Sequence, residues 1–252
     1  LGEGGFATVR TGKHKVSGRR YAIKSIDLSK IAHDKRDMLE AEVEPCAEWL
    51  PAIIMLLWSR LTTLTQNRDD LVMEECVGGH LFDFLICTRN TPNVNRTPGN
   101  LLAGAVSYLH KRHIAHRDIK PENFLLESKP TQEGPGEIKL IDFGFSKVFH
   151  SSDEMHNVLG SPYYVAPEVL RANSAHGYGP KVDIWSLGVV IYMMLCGCPP
   201  FTGGDNSEIY AAISKGEYTW PADVDVSDLA KDFIKQLLTM DPGNRVSAAK
   251  VL

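Results

Sequence analysis

Two short stretches at a fixed spacing leave this chain few architectures. His116-Arg117-Asp118-Ile119-Lys120-Pro121-Glu122-Asn123 is followed by an apolar strand, Ile138-Lys139-Leu140-Ile141, that runs directly into Asp142-Phe143-Gly144. Asp-Phe-Gly met alone would describe a turn after a buried strand. Order and context carry the information. A carboxylate is followed two residues on by an ammonium and five residues on by an amide, and a second carboxylate waits at a strand end.

Those residue types suit phosphoryl transfer. Asp118 is placed to receive a hydroxyl proton, Lys120 can neutralise a moving phosphate, and Asn123 with Asp142 can hold magnesium (Mg2+) beside nucleotide phosphates. The chain then continues through Gly160-Ser161-Pro162-Tyr163-Tyr164-Val165-Ala166-Pro167-Glu168. With these motifs in sequence, the chain resembles the eukaryotic protein kinases from its first residue to its last. The resemblance implies an α+β, bilobal fold: a small β-rich N-lobe with its hinge over residues 1–76, its first strand truncated, and a large helical C-lobe over 77–252. It also implies ATP and Mg2+ as cofactors and protein Ser/Thr hydroxyls as acceptors. Two other readings are a nucleotide-binding pseudokinase or scaffold, and a small-molecule phosphotransferase of related fold. The second does not explain Gly160 to Glu168, which in the family forms a platform for a protein substrate.

Composition agrees. At 252 residues the chain can bury a sizeable core. A net charge of −4 gives no reason to expect nucleic acid or an anionic membrane as a partner. Cys46, Cys76, Cys87, Cys196 and Cys198 show no paired metal-ligand spacing, which fits reduced thiols and a cytoplasmic location. The uncharged run Ile184 to Phe201 is broken by Gly197 and Pro199-Pro200, too early for the roughly 20 residues a bilayer requires. It reads as a buried helix, and no membrane span or signal peptide is expected.

Strand patterns occur at Tyr21-Ala22-Ile23-Lys24 and at Leu71 to Cys76, with the breaker Val77-Gly78-Gly79 where the lobes join. Asp34 to Glu44, Lys181 to Cys196 and Ser227 to Leu238 read as helices. The last places Ala230, Phe233, Ile234, Leu237 and Leu238 on one face, with Ser227 as its N-cap. Leu1 precedes the first glycine of the nucleotide loop and the last helix stops at Val251-Leu252, so a catalytic-domain fragment is expected.

Leu1-Gly2-Glu3-Gly4-Gly5-Phe6-Ala7-Thr8-Val9 resembles the kinase glycine-rich loop, in which backbone amides approach phosphates. Ala7 replaces the family's third glycine. Lys24 occupies the position of the strand lysine that contacts the α and β phosphates, with Glu42 as its helix partner and Glu40 and Glu44 as competitors. The nucleotide set is therefore Leu1, Gly2, Gly4, Gly5, Val9, Ala22, Lys24, Glu42, Glu74 and Cys76, the last two offering backbone groups to adenine. Met73 guards the back of that pocket. Asp118, Lys120, Lys24 and Asn123 form the catalytic set, and Asn123 and Asp142 the metal set. Lys120 and Ser161 resemble Ser/Thr rather than tyrosine kinases. Glu168 with Arg245, and Asp183 with Trp185, look like scaffold.

Gly160 to Leu170, Met193 to Phe201 and Ala230 to Thr239 resemble the calcium- and calmodulin-regulated branch, most of all the calcium-dependent protein kinases of plants and protists. That implies a calcium-sensing regulatory segment outside this chain. Asp223 to Asp228 mimics the start of a calcium loop, but it lacks the glycine at the sixth position, and Ile234 stands where the closing glutamate belongs. His80 replaces a family glutamate beside the substrate groove, which weakens the expectation of an upstream arginine preference. Asn157 replaces the usual phosphorylated threonine, so phosphorylation there is not expected to be the switch. Pro45 to Arg68 and Ile86 to Gly99 depart from the family pattern at roughly conserved length. A misread coding sequence and real divergence both account for this, and resequencing the transcript decides between them.

Overall fold

A computed structural model of the chain describes residues 2–3, 7–27, 59–62, 68–88, 98–131, 136–149, 155–156, 160–172 and 177–251. Strands β1 (Gly2–Glu3), β2 (Ala7–Lys13), β3 (Arg20–Asp27), β4 (Ser59–Thr62) and β5 (Arg68–Glu74) form one antiparallel sheet in the order β1-β2-β3-β5-β4. The period of two places Ala22, Lys24 and Ile26 on one face of β3. Ala22 and Ile26 are buried there, as are Leu71 and Met73 on β5, with Ala22 opposite Met73 and Lys24 opposite Leu71. Lys24 is thus delivered to the underside of the sheet by the same alternation that builds the sheet's core.

After Glu74 the chain crosses to a helical body. Val77 N–H donates to Glu127 O at 3.1 Å, Gly78 N–H to Leu126 O at 3.0 Å, and Leu126 N–H to Gly79 O at 2.9 Å. Gly78 is required by this close approach, because a Cβ there would overlap Ser128 O and Leu126. The body comprises α1 (Leu81–Thr88), α2 (Pro98–Lys111), β6 (Ile114–Ala115), β7 (Phe124–Leu126), β8 (Ile138–Leu140), β9 (Lys147–Val148), α3 (Pro167–Arg171), α4 (Val182–Cys196), α5 (Asn206–Lys215) and α6 (Asp228–Leu237). β6 pairs with β9 and β7 with β8, both antiparallel.

α4 runs through the centre of this body, with Val182 to Tyr192 all buried. A helix apolar on every side belongs in a core. α4 ends at Gly197, whose φ of 73° makes the left-handed C-cap and returns its N–H to Met193 O. Gly188 on α4 lets Leu237 and Leu238 pack against the helix backbone. α6 is amphipathic, burying Ile234 and Leu237, and Ser227 Oγ accepts the Ala230 N–H at 3.4 Å.

Several expected boundaries shift. α4 begins at Val182 with Lys181 as its N-cap, α6 spans Asp228–Leu237, and β5 starts at Arg68 and stops before Cys76. The Asp34 to Glu44 helix lies outside the described residues, as does most of the two divergent windows, although β4 falls within the first. Among the described residues no helix is long and apolar enough to cross a membrane.

Candidate active site

The site begins with an unusual backbone. Arg117 and Asp142 adopt φ of 67° and 66°, a left-handed region that costs a residue bearing a Cβ roughly 1–2 kcal/mol. The compensation at Arg117 is visible. Asp183, wholly buried at the start of α4, accepts the Arg117 N–H at 2.7 Å, the His116 N–H at 2.8 Å and a bond from His110 Nε2 at 2.8 Å. Burial would raise the Asp183 pKa, but the His110 hydrogen bond and charge, His116 and the backbone donors hold it below the ordinary carboxylate value.

His116 spends both ring nitrogens: Nε2–H donates to Ile141 O at 3.1 Å and Nδ1 accepts the Asp118 N–H at 3.3 Å. This neutral form agrees with a pKa pushed down by complete burial. Ile141 N–H in turn donates to Asn123 O at 2.8 Å, so the two signature stretches are bonded to each other directly. Phe143 is buried, edge-on to the His116 ring at 4.9 Å.

These supports converge on Asp118. Its Oδ2 accepts from Lys120 Nζ at 2.6 Å and from Asn123 Nδ2 at 3.2 Å, while Asn123 Nδ2 also reaches Asp118 O at 2.8 Å. Ser161 Oγ donates to Asp118 Oδ1 at 3.4 Å and accepts from Lys120 Nζ at 3.3 Å. Lys24 Nζ lies 3.3 Å from Asp142 Oδ1. Asp142 is subject to burial, which raises its pKa, but the Lys24 charge and hydrogen bond outweigh that and keep it low.

The nucleotide set is placed less completely. Gly2 stands opposite Val9, and Val9 opposite Lys24, in the strand register. Ala22 and Met73 form a buried cross-strand pair, and Glu74 and Cys76 follow at the strand end. Burial pushes the Cys76 thiol up to about 11, opposed in part by Lys139. Leu1, Gly4, Gly5 and Glu42 lie outside the described residues. Arg117 points its guanidinium at Phe145 O and Ser146 O; Asn157, at the position of the usual phosphorylated threonine, is outside the described residues. His80 Nδ1 donates to Glu122 O at 3.1 Å.

Glu168 and Arg245 form a two-pronged pair at 2.6 and 2.9 Å, with the guanidinium over the Trp185 ring at 5.1 Å. Two contacts go beyond what the sequence pattern implies: His110 as a third partner of Asp183, and Ser161, a mark of the Ser/Thr kinases, as a direct partner of Asp118. Neither contact has a signature in chain spacing, since each spans more than forty residues.

The family described as "Protein kinase domain" matches residues 1–252. Myosin light chain kinase A of Dictyostelium discoideum is 39% identical over 257 residues, covering 100% of this chain and 84% of that protein. Calcium-dependent protein kinase 4 of Plasmodium berghei is 39% identical over 258 residues, covering 100% of this chain and 47% of that protein. Calcium-dependent protein kinase 7 of Arabidopsis thaliana is 36% identical over 261 residues, with 100% and 46% coverage. The chain spans about half the length of these two calcium-dependent kinases. A match over every residue, at this level of identity, supports one assignment: the chain belongs to the protein kinase domain family, as a protein serine/threonine kinase domain similar to the calcium-dependent protein kinases.

Proposed function

We propose that the chain moves the γ-phosphoryl group of ATP to protein Ser/Thr hydroxyls with Asp118 as the base. The observation that carries this reading is the Asp118 carboxylate, fixed by Lys120 and Asn123 and faced by Ser161. Asp118 orients the acceptor hydroxyl and takes its proton as the oxygen bonds to phosphorus and ADP departs. Lys120 neutralises charge on the transferring group. Lys24 holds the α and β phosphates from beneath the sheet, and Gly2, Gly4 and Gly5 cover them. Leu1, Val9 and Ala22 enclose adenine, Glu74 and Cys76 offer it backbone groups, and Glu42 is the helix partner of Lys24.

Asn123 and Asp142 fit a hard cation. Both offer oxygen donors, their stretches are bonded through Ile141 N–H and Asn123 O, and the Asp142 side chain is 46% exposed, leaving room for the waters and phosphate oxygens that Mg2+ retains. Bound Mg2+ supplies charge neutralisation at the phosphates. A lobe boundary at residue 76/77 is supported by the end of β5 at Glu74 and the hydrogen bonds of Val77 and Gly78 to β7. Likeness to calcium-dependent kinases supports control by a calcium-sensing segment outside this chain, and reduced thiols at Cys76, Cys196 and Cys198 support a cytoplasmic setting.

The test is Mg2+-dependent phosphate transfer from ATP to a generic Ser/Thr protein substrate. Asp118→Asn is expected to lose activity by about 10²–10⁴-fold while still binding ATP. ATP binding without transfer by the unaltered chain would sink the reading and favour a scaffold.

A further inference from the structure

Lys139 lies at the centre of a charge cluster that phosphoryl transfer does not use. Its side chain is only 4% exposed, in a strand whose other two residues, Ile138 and Leu140, are buried apolar groups. Its Nζ lies 3.2 Å from Glu137, 3.6 Å from Glu74 and 3.9 Å from Glu127. These acids come from different parts of the fold. Glu74 ends β5 of the sheet, Glu127 follows β7 and Glu137 precedes β8. Glu74 is held from the other side by Arg19 of the β2–β3 turn, at 3.4 Å.

A buried ammonium facing partly exposed carboxylates adds little net stability, because its own desolvation and the solvent screening of the acids offset the attraction. What it adds is direction. Here the ammonium fastens the last residue of the sheet to the β7–β8 hairpin, and Val77 and Gly78 are bonded to that same hairpin through the backbone. The segment leaving β5 is therefore fixed from its side chains and from its backbone at once. Resting on the reading that ATP binds this chain, we infer that Lys139 is a positioning residue for the purine: by clamping Glu74 it sets the backbone of Glu74 to Cys76 at the spacing that distinguishes adenine from guanine. The two bases present opposed donor and acceptor patterns at their six-position edge. A displaced strand end loses adenine affinity and loses discrimination together.

The experiment compares wild type, Lys139→Met and Lys139→Arg in steady-state transfer from ATP and from GTP to one protein substrate, with thermal melts of each. Lys139→Met is expected to raise KM for ATP about tenfold, equivalent to about 1.4 kcal/mol, and to narrow the ATP-to-GTP ratio of kcat/KM. The kcat is expected to stay within about twofold of wild type, and Lys139→Arg to recover most of the affinity. An unchanged KM and an unchanged ATP-to-GTP ratio overturn the inference, as does a fall in active fraction alone. Glu74→Gln weakens the same clamp from its more exposed end, so the question is answered even if Lys139→Met does not fold. Failure of wild type to saturate with ATP would refute the underlying ATP reading as well, a result distinct from a normal wild type beside an unaffected variant.

Discussion

Glu168→Gln should be among the most destabilising single changes that spare the phosphoryl-transfer residues. Arg245 has a side chain with no exposed surface, and Glu168 is 11% exposed, so water can do little to replace the lost carboxylate. The guanidinium would keep its bonds to Thr239 O at 2.9 Å, Lys181 O at 2.8 Å and Met240 O at 3.4 Å, and its place over Trp185. None of these carries a counter-charge, and the new amide would turn donor hydrogens toward a group that only donates. Removing one partner of a buried pair costs about 3–5 kcal/mol. Domains have about 5–15 kcal/mol in total. At about 2–4 °C per kcal/mol for a chain of this size, Tm should fall by roughly 6–20 °C. Urea unfolding should show a lower midpoint at unchanged slope. The double variant Glu168→Gln with Arg245→Met should lose less than the two single losses added, because the stranded charge is gone. A single variant within about 1 kcal/mol of wild type, or strict additivity, would refute the argument.

Other expectations can be checked with the same preparations. His116 is buried neutral with its pKa lowered mainly by desolvation, so the unfolded chain takes up a proton that the folded chain refuses. Its contribution to stability should therefore be intact above the unfolded histidine value of about 6.5 and decline as pH falls below it, a slope that His116→Phe should flatten in urea titrations from pH 8 to 5. Asp183 has a lowered pKa, so its stabilisation is present above about 3.9 and is lost as pH falls through its still lower folded value; acid unfolding of Asp183→Asn should lack that step. The same substitution removes one acceptor from the Arg117 and His116 amides and should cost about 1–3 kcal/mol in urea unfolding. Gly78→Ala forces a Cβ onto Ser128 O and Leu126 and should cost about 1–3 kcal/mol, read from the same midpoint shift.

Much of the site was legible because its chemistry sits in short contiguous runs. Asp118, Lys120 and Asn123 occupy six consecutive positions, so their meeting around one carboxylate follows from local geometry. Lys24 was legible through its resemblance to the family's strand lysine after Tyr21-Ala22-Ile23, and the burial of Ala22 and Ile26 on the same face gives the physical reason for its placement. The buried face of α6 followed from side-chain periodicity, and the Ser227 cap from a hydroxyl residue at the helix start. What escaped were contacts made by long returns of the chain: His110 to Asp183 across 73 residues, Ser161 to Asp118 across 43, and Lys139 to Glu74 across the hinge. A lysine between Ile138 and Leu140 reads as an ordinary alternating residue, yet it is buried because the hairpin is covered on both faces. Helix boundaries moved by a residue where backbone capping, rather than side-chain type, sets the end, as at Lys181.

The dependence of Arg117 on Asp183 also sets an order of events during synthesis. The residue that must hold a left-handed backbone leaves the ribosome 66 residues before the carboxylate that stabilises it. At about 5–20 residues per second, that interval lasts several seconds. Throughout it the left-handed turn at Arg117 lacks the carboxylate that holds its amide, and the apolar faces awaiting α4 stay uncovered. The nascent protein should be most vulnerable to aggregation and most dependent on chaperones in that window, and slowing translation between codons 118 and 183 should lower soluble yield more than an equal delay placed after Arg245.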